Sequence, residues 1–248
     1  MNTHYPDLDD SALVLTTLRR ASRDQSDGIE MLKRRGMAWC LSMQSSSGGW
    51  GAFDRDNNML ILNRIPFADQ EAMVDYPSVD VTGRVLEAMG HYGYPLTHPQ
   101  AQMGIKFIRK MQEPDGSWWG RWGVNYIYGT WAVLRGLISI GEDPTAAYIQ
   151  AAVSWLKTHQ NPDGGWGETC ESYVNPELRG KGTSTPSQTA WAIMGLLACA
   201  EENSPEVEQG VRYLVDTQQG DGSWEERYFT GTGFPNHFFI RYDNYRNC

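Results

Sequence analysis

The stretch "YPDLDDSALVL" (residues 5–15) sets three carboxylates, Asp7, Asp9 and Asp10, directly before an apolar run of helical spacing. Like charges this close repel, so the arrangement needs a reason, and three fit. An Asp ahead of a helix can accept the N–H groups left open in its first turn. Two acids spaced i, i+2 can hold a divalent cation such as Mg through oxygen. Alternatively, one carboxyl crowded by its neighbours and shielded from water keeps its proton near neutral pH, because like charges and burial each raise a carboxylic pKa. A helix N-terminus then stabilises the anion left when the proton departs. A second acidic position, Asp80 in "PSVDVTGRVLEAMG", also precedes a helical pattern, with Arg84 one turn along. Taken alone, Asp80 is a cap and Asp80 with Arg84 an i, i+4 pair of about 0.5 kcal/mol.

The elements that must position these residues repeat along the chain. "GMAWCLSMQSSSGGW" (36–50), "GIKFIRKMQEPDGSW" (104–118), "AVSWLKTHQNPDGGW" (152–166) and "GVRYLVDTQQGDGSW" (210–224) share one spacing: a small residue, an aromatic three on, a Gln five after that and a Trp six further. The small residue and the ring lie on one helix face, so a neighbouring helix is expected to approach at the small residue. The "PDG" type of turn then stops the helix, with Pro fixing φ and Gly accepting positive φ. Gln44, Gln112, Gln160 and Gln218 are expected to bond backbone groups freed at that helix end, and Trp50, Trp118, Trp166 and Trp224 to pack over the turn. Between the repeats run further helical patterns at 10–22, 80–92, 127–140 and 187–201, the last capped by Ser187 or Thr185 with Pro186 in its first turn. The sum is about eight paired helices with almost no strand signal, which predicts an all-α fold, an α/α toroid.

Composition narrows the function. With 21 Lys and Arg against 30 Asp and Glu, the net charge of −9 argues against a nucleic-acid surface. Cys40, Cys170, Cys199 and Cys248 form no CxxC pair, and "MNTHYPDLDD" is no secretory leader, which predicts a reduced, cytoplasmic setting. The longest apolar run, "AWAIMGLLACA", is short of the ~20 residues that span a bilayer, so membrane contact is expected to be superficial.

The repeats, "DLDD", "GRWGVNYIYGTWAV", "GKGTSTPSQTAWA" and "YFTGTGFPNHFFIRYDNYR" together resemble the C-terminal part of bacterial squalene-hopene cyclases, over essentially the whole chain. The resemblance implies a class II triterpene cyclase: protonation of a terminal alkene of squalene, a cascade of ring closures, then proton loss or water capture. No metal or cofactor takes part in that reaction. Family members have two α/α barrels and sit in one membrane leaflet, which implies a peripheral, monotopic location on the cytoplasmic side. Residues 1–248 would be a single C-terminal α/α barrel domain, an incomplete α6/α6-type barrel with QW-type repeats, lacking the second barrel and the upstream helices and stopping at "YRNC" where family members continue.

By the same resemblance Asp9 is the proton donor, with Asp7 and Asp10 in support. Asp80, of the second acidic site, is a further catalytic candidate, Arg84 stands where the family often carries a His or Arg beside the donor, and Tyr128 matches a Tyr of the hydrogen-bond network that returns the proton. Phe53, Phe67, Trp122, Phe234, Phe238, Tyr242 and Tyr245 match cavity positions, where ring faces stabilise a carbocation and offer no lone pair. Phe53 stands for a Tyr of some relatives, and Gln70 for a Phe near the entrance. The expected partner is squalene or a similar polyprenyl chain, with the missing barrel or a second copy as a possible protein partner.

Other toroid enzymes fit less well. Glycosidases and lyases need exposed polar sugar contacts where this chain has Phe, Tyr and Trp. Zinc prenyltransferase subunits need an Asp, Cys and His set that the five His residues do not form. The non-enzyme reading is a truncated or split cyclase segment, inactive alone, with an apolar edge that needs a complementary half.

Overall fold

A computed structural model describes residues 6–21, 26–64, 73–235 and 237–242. Among these residues stand eight α-helices: α1 (Leu8–Ala21), α2 (Asp27–Ser42), α3 (Val79–His91), α4 (Pro99–Lys110), α5 (Tyr126–Ile140), α6 (Ala147–Thr158), α7 (Pro186–Ala198) and α8 (Pro205–Thr217). The number and places agree with the periodicity. The cap expected on α7 is Thr185, whose side chain accepts from the Gln188 N–H, with Pro186 at the first helical position. One element was not foreseen: β1 (Gly231–Phe234) and β2 (Phe238–Ile240) pair antiparallel. Their glycine-rich, aromatic sequence has no clean alternation to read, and the hairpin is held by a tertiary tie described below.

The chain forms two compact units, Met1–Met111 with Arg135–Asp143, and Gln112–Leu134 with Pro144–Cys248. In the first, α1 packs along α3 and α2. The core here is Leu8, Ala12, Met37, Trp50, Val81, Val85, Leu86 and Met89, all at most 1% exposed. A Cβ at Gly136 would collide with the Gly83 carbonyl, and one at Gly90 with that of Ser139, so α3 and the C-terminal part of α5 touch backbone to backbone. In the second unit the N-terminal part of α5 packs on α7 at Gly195, and α7 on α6 and α8.

The repeat is a three-way joint, and its Gln bonds carbonyls other than those expected of it. The carbonyls near the helix ends are taken by tryptophan: Trp50 Nε1 donates to Cys40 O (2.8 Å), Trp166 Nε1 to Leu156 O (2.7 Å) and Trp224 Nε1 to Leu214 O (2.7 Å), each ten residues back. Gln instead ties the turn to the next outer helix. Gln44 Nε2 donates to Gly48 O (2.7 Å) and Gln100 O (2.8 Å), Gln112 to Gly116 O and Tyr148 O, and Gln160 to Gly164 O and Glu206 O. Gln100, Tyr148 and Glu206 are each the second residue of their helix. Gln218 makes the turn bond to Gly222 O at 2.9 Å.

A neighbouring helix approaches at the small residue as expected, through Leu15 of α1 at Gly36, Leu86 of α3 at Gly104 and Ile193 of α7 at Gly210, and at the last two the ring of the preceding repeat's Trp joins it, with Trp50 3.0 Å and Trp166 2.7 Å from where a Cβ would stand. Each turn is joined through threonine to the helix that follows it, Trp50 N donating to Thr82 Oγ1 of α3 (3.0 Å), Trp118 N to Thr130 Oγ1 of α5 (3.0 Å) and Trp166 N to Thr189 Oγ1 of α7 (2.9 Å). The positive φ that the turn demands falls on Gly48, Gly116, Gly164 and Gly222, from 85° to 96°.

Candidate active site

The "DLDD" stretch answers its own question by dividing the labour. Asp7 is the helix cap: its Oδ1 accepts the Asp10 N–H at 3.0 Å, and its carbonyl accepts the Ser11 N–H. The start of α1 is pinned by Leu8 N donating to Ala52 O at 2.8 Å. Ala52 sits in a loop that Asp75 holds by accepting the N–H groups of Ala52 (3.2 Å), Phe53 (2.6 Å) and Asp54 (2.7 Å). The same cradle sets the backbone of Phe53, whose side chain is half-buried.

Asp9 is thereby fixed at the second position of α1. Its side chain is 27% exposed, yet its Oδ1 is fully shielded and accepts no hydrogen bond among the described residues. Arg84 Nε lies 3.3 Å from that oxygen. Burial pushes the Asp9 carboxyl from 3.8 up to about 6, against the downward pull of Arg84, with the charges of Asp80, Asp7 and Asp10 adding to the rise. Burial likewise raises Asp7, opposed by the N–H of Asp10. Asp10 itself is exposed.

Asp80 is a member of the first turn of α3 rather than its cap; Ser78 holds the cap position. Asp80 Oδ1 accepts the Val81 N–H at 3.0 Å and the Ser78 hydroxyl. The Arg84 guanidinium is directed between Asp9 and Glu87, whose Oε2 lies 3.8 Å from Arg84 Nη1.

Tyr128, Trp122, Phe234, Phe238 and Tyr242 belong to the second unit. Tyr128 is buried with its ring 4.9 Å from that of Trp191 and 5.4 Å from that of Trp131, the two indoles stacking at 5.7 Å. Trp122, Phe234 and Phe238 are brought together at the hairpin. Thr232 N donates to Trp122 O and Val124 N to Thr230 O, which ties β1 to the strand-like segment before α5. Phe234 and Phe238 meet edge to face at 5.6 Å. Arg121 spans the group, its guanidinium carbon 4.3 Å from the Trp122 ring centre and 5.4 Å from that of Phe234, while it donates to Gly233 O. Phe238 is 39% and Tyr242 43% exposed, with Tyr242 lying over Gly231. Phe67, Gln70 and Tyr245 lie outside the described residues.

Sequence reasoning passed over several acids. Glu168, two residues after Trp166, caps α5 from another segment: its Oε2 accepts from Ile127 N (3.0 Å) and Asn125 N (3.3 Å). Glu226, two after Trp224, does the same for α7 through Ser187 N and Oγ. Burial raises both, Glu168 to about 7. Their recurrence at one place in the repeat gives them a structural office, and the shared spacing from Trp was the signal that could have found them. Asp75 and Glu87 were missed as well. Asp75 is distant in sequence from the loop it holds, but Glu87 stands three residues after Arg84 on one helix face, which is a legible spacing.

The chain matches the squalene-hopene cyclase C-terminal domain family over residues 1–248. It is 47% identical to the squalene–hopene cyclase of Zymomonas mobilis over 250 residues, covering 98% of this chain and 38% of that protein. With the squalene–hopene cyclase of Alicyclobacillus acidocaldarius it shares 48% identity over 246 residues, 99% of this chain and 39% of the relative. The chain thus spans less than half the length of these curated relatives. Among solved structures, the type II terpene cyclase MstE from Scytonema superposes with a TM-score of 0.64 at 19% identity, over 94% of this chain and 61% of that one. At that identity the likeness concerns the fold alone, and it gives the all-α, α/α-toroid class of the type II terpene cyclases. No helix among the described residues is long and apolar enough to cross a membrane. By its match along the full sequence, the chain belongs to the squalene-hopene cyclase family, within the C-terminal domain.

Proposed function

We propose that this chain is the proton-donating domain of a class II triterpene cyclase, acting on squalene or a similar polyprenyl chain and yielding hopene or hopanol in hopanoid biosynthesis. The observation that carries the reading is Asp9, a shielded carboxyl held near 6 at the N-terminal turn of a helix and 3.3 Å from an arginine. An alkene is a very weak base, so its protonation needs an acid that retains its proton and an environment ready for the anion. The Asp9 O–H bond breaks as a C–H bond forms on the terminal alkene carbon, and the positive charge appears on the adjacent carbon. The carboxylate left behind faces Arg84 and the positive end of α1. Asp7 and Asp10 support the donor, Asp7 by capping the helix that carries it. Asp80 raises the donor's proton affinity by its charge, and Tyr128 serves the proton's return.

The cation that follows is stabilised by ring faces, with Phe53, Phe67, Trp122, Phe234, Phe238, Tyr242 and Tyr245 in that role. The reaction needs no cofactor. Residues 1–248 act as one C-terminal barrel domain, peripheral to the cytoplasmic face of a membrane, where the substrate resides. The test is incubation of the purified chain with squalene in detergent and mass spectrometry of the products. Pentacyclic product that disappears with Asp9→Asn is expected, whereas equal product from both proteins refutes Asp9 as donor.

The share of relatives' length that the chain spans, 38% and 39%, favours a second reading in which it works with a complementary half. Here the chain alone gives no product, and supplying the remaining part of a squalene-hopene cyclase in trans restores it. Failure to restore product, with both parts folded, refutes this version.

A further inference from the structure

Beyond Asp9 the first unit holds a line of alternating charge. Arg84 faces Asp9 through Nε at 3.3 Å and Glu87 through Nη1 at 3.8 Å. Glu87 Oε1 pairs in turn with Arg135 of α5, and His91 Nε2 stands 3.9 Å from the same oxygen. The line is sheltered, with side-chain exposure of 11% at Arg84, 5% at Glu87 and 23% at Arg135. Glu87 is also fixed by its backbone, since its carbonyl accepts the Ser139 hydroxyl at 3.1 Å where α3 and α5 run close together.

The chemistry of a donor acid sets two demands on Arg84 that conflict. A guanidinium within ~4–6 Å favours the ionised carboxyl by ~1–3 pH units, which helps the anion after transfer and strips the proton before it. Arg84 cannot shed its own proton to relieve the conflict, because guanidinium stays charged. One way to moderate it is to share it with a second carboxylate, and Glu87 offers its Oε2 3.8 Å from Arg84 Nη1.

We infer that Glu87 is a positioning residue that divides the Arg84 guanidinium between itself and Asp9 and so preserves the proton on Asp9, while Arg135 sets how much of the Glu87 charge Arg84 receives. The role of Asp9 as donor rests on the function proposed above; the division of charge does not. The groups facing Asp9 are Arg84 and Asp80 from α3 and Asp7 and Asp10 from α1, and those facing Glu87 are Arg84 and His91 from α3 and Arg135 from α5. His91 is held below its usual range by burial, with Arg20 and Arg135 adding to that and Glu87 opposing it, so it adds no full charge at neutral pH. Arg19, from α1, donates to the His91 carbonyl at 3.3 Å.

The experiment follows the Asp9 carboxyl by carbon-13 NMR in the full chain, with the signal assigned by its loss in Asp9→Asn. Glu87→Gln is expected to lower the Asp9 midpoint by about one pH unit, a roughly tenfold loss of protonated acid at neutral pH. Glu87→Asp restores part of it. Arg135→Met, which frees Glu87 toward Arg84, moves the midpoint the opposite way, upward. A role in mere folding predicts no such opposition of sign. An unchanged midpoint in Glu87→Gln, or movement in the same direction in both variants, overturns the inference. Should Glu87→Gln fail to fold, Arg135→Met decides alone, an unchanged or lowered midpoint being fatal. Squalene turnover is measured in parallel, with the parent chain alone and with the remaining part of a squalene-hopene cyclase supplied in trans: a shifted midpoint without turnover in either arm retires the proposed function and leaves the inference standing, and turnover with an unmoved midpoint does the reverse.

Discussion

Replacing Asp9 by Asn tests whether the carboxyl is held protonated at the expense of the fold. Asn keeps the shape and removes the charge. The folded chain holds the Asp9 proton up to about 6, whereas the unfolded chain releases it near 3.8. Between those values the folded state binds more protons than the unfolded one, so stability falls as pH rises through that window and is flat on either side. At 1.36 kcal/mol for each pH unit, the gap amounts to about 3 kcal/mol. The carboxyl is 27% exposed, so solvent screening makes that an upper figure. The variant lacks this dependence. Its stability relative to the parent chain should therefore climb by about 2–3 kcal/mol from pH 4 to pH 8, or about 4–12 °C in melting temperature for a chain of this size. Thermal unfolding by circular dichroism across that range gives the comparison, and pH dependences of other groups cancel between the two proteins. Parallel curves would mean that Asp9 is solvated like any surface acid, and the donor argument would fall with them.

The repeat joint makes its own predictions. Gln160→Ala leaves two carbonyls, Gly164 and Glu206, without their donor and should lower stability by about 2–3 kcal/mol, while Gln218→Ala, which loses one exposed bond, should cost under about 1 kcal/mol in the same denaturant titration. Glu168→Ala uncaps α5 and should cost about 1–3 kcal/mol. Glu168→Gln keeps an acceptor, and since burial holds the acid near 7, its stability should gain on the parent's as pH rises from 4.5 to 7. Gly136→Ala drives a Cβ into the Gly83 carbonyl and should cost about 1–3 kcal/mol, read as a lower urea midpoint with an unchanged slope.

How much of this could be read beforehand depended on range. Helix places followed from apolar spacing within a dozen residues, and the turn glycines from the need for positive φ, both local matters. The carbonyls that Gln bonds within the repeat were not those expected, and the bond from the Trp indole was not foreseen, because each side chain bonds a carbonyl chosen by tertiary packing. The indole of Trp166 reaches back ten residues to Leu156, whereas Gln160 reaches forward to a helix that starts 45 residues later. Nothing in local propensity distinguishes those two directions. The hairpin at 231–240 was missed for a similar reason, its pairing being fixed by bonds from Trp122 and Val124 more than by its own sequence. In the acid site, cap and candidate donor were both legible in "DLDD", the resemblance pointing to Asp9 as donor, but residue types alone left open which Asp served as the cap. The cap followed from geometry: Asp7 directly precedes the helix and accepts the Asp10 N–H, while Asp9 lies 3.3 Å from Arg84.

The division between Asp7 and Asp9 also explains how a destabilised acid can be kept in place. A charge that costs about 3 kcal/mol to hold at neutral pH would escape by fraying the first turn of α1 if that turn were free to open. It is held by bonds that do not involve the Asp9 side chain at all: the Asp7 cap, the Leu8 amide on Ala52, and the three amides that Asp75 gathers beneath that loop. Because main-chain bonds fix the position, the carboxyl needs no hydrogen bond of its own to stay there. The shielded Oδ1, which accepts no hydrogen bond among the described residues, keeps its proton affinity high, since each N–H donated to the anion would have lowered it. Rigid placement and a poorly satisfied acid are therefore consequences of one local design, in which the neighbouring aspartate takes the amide that Asp9 must do without.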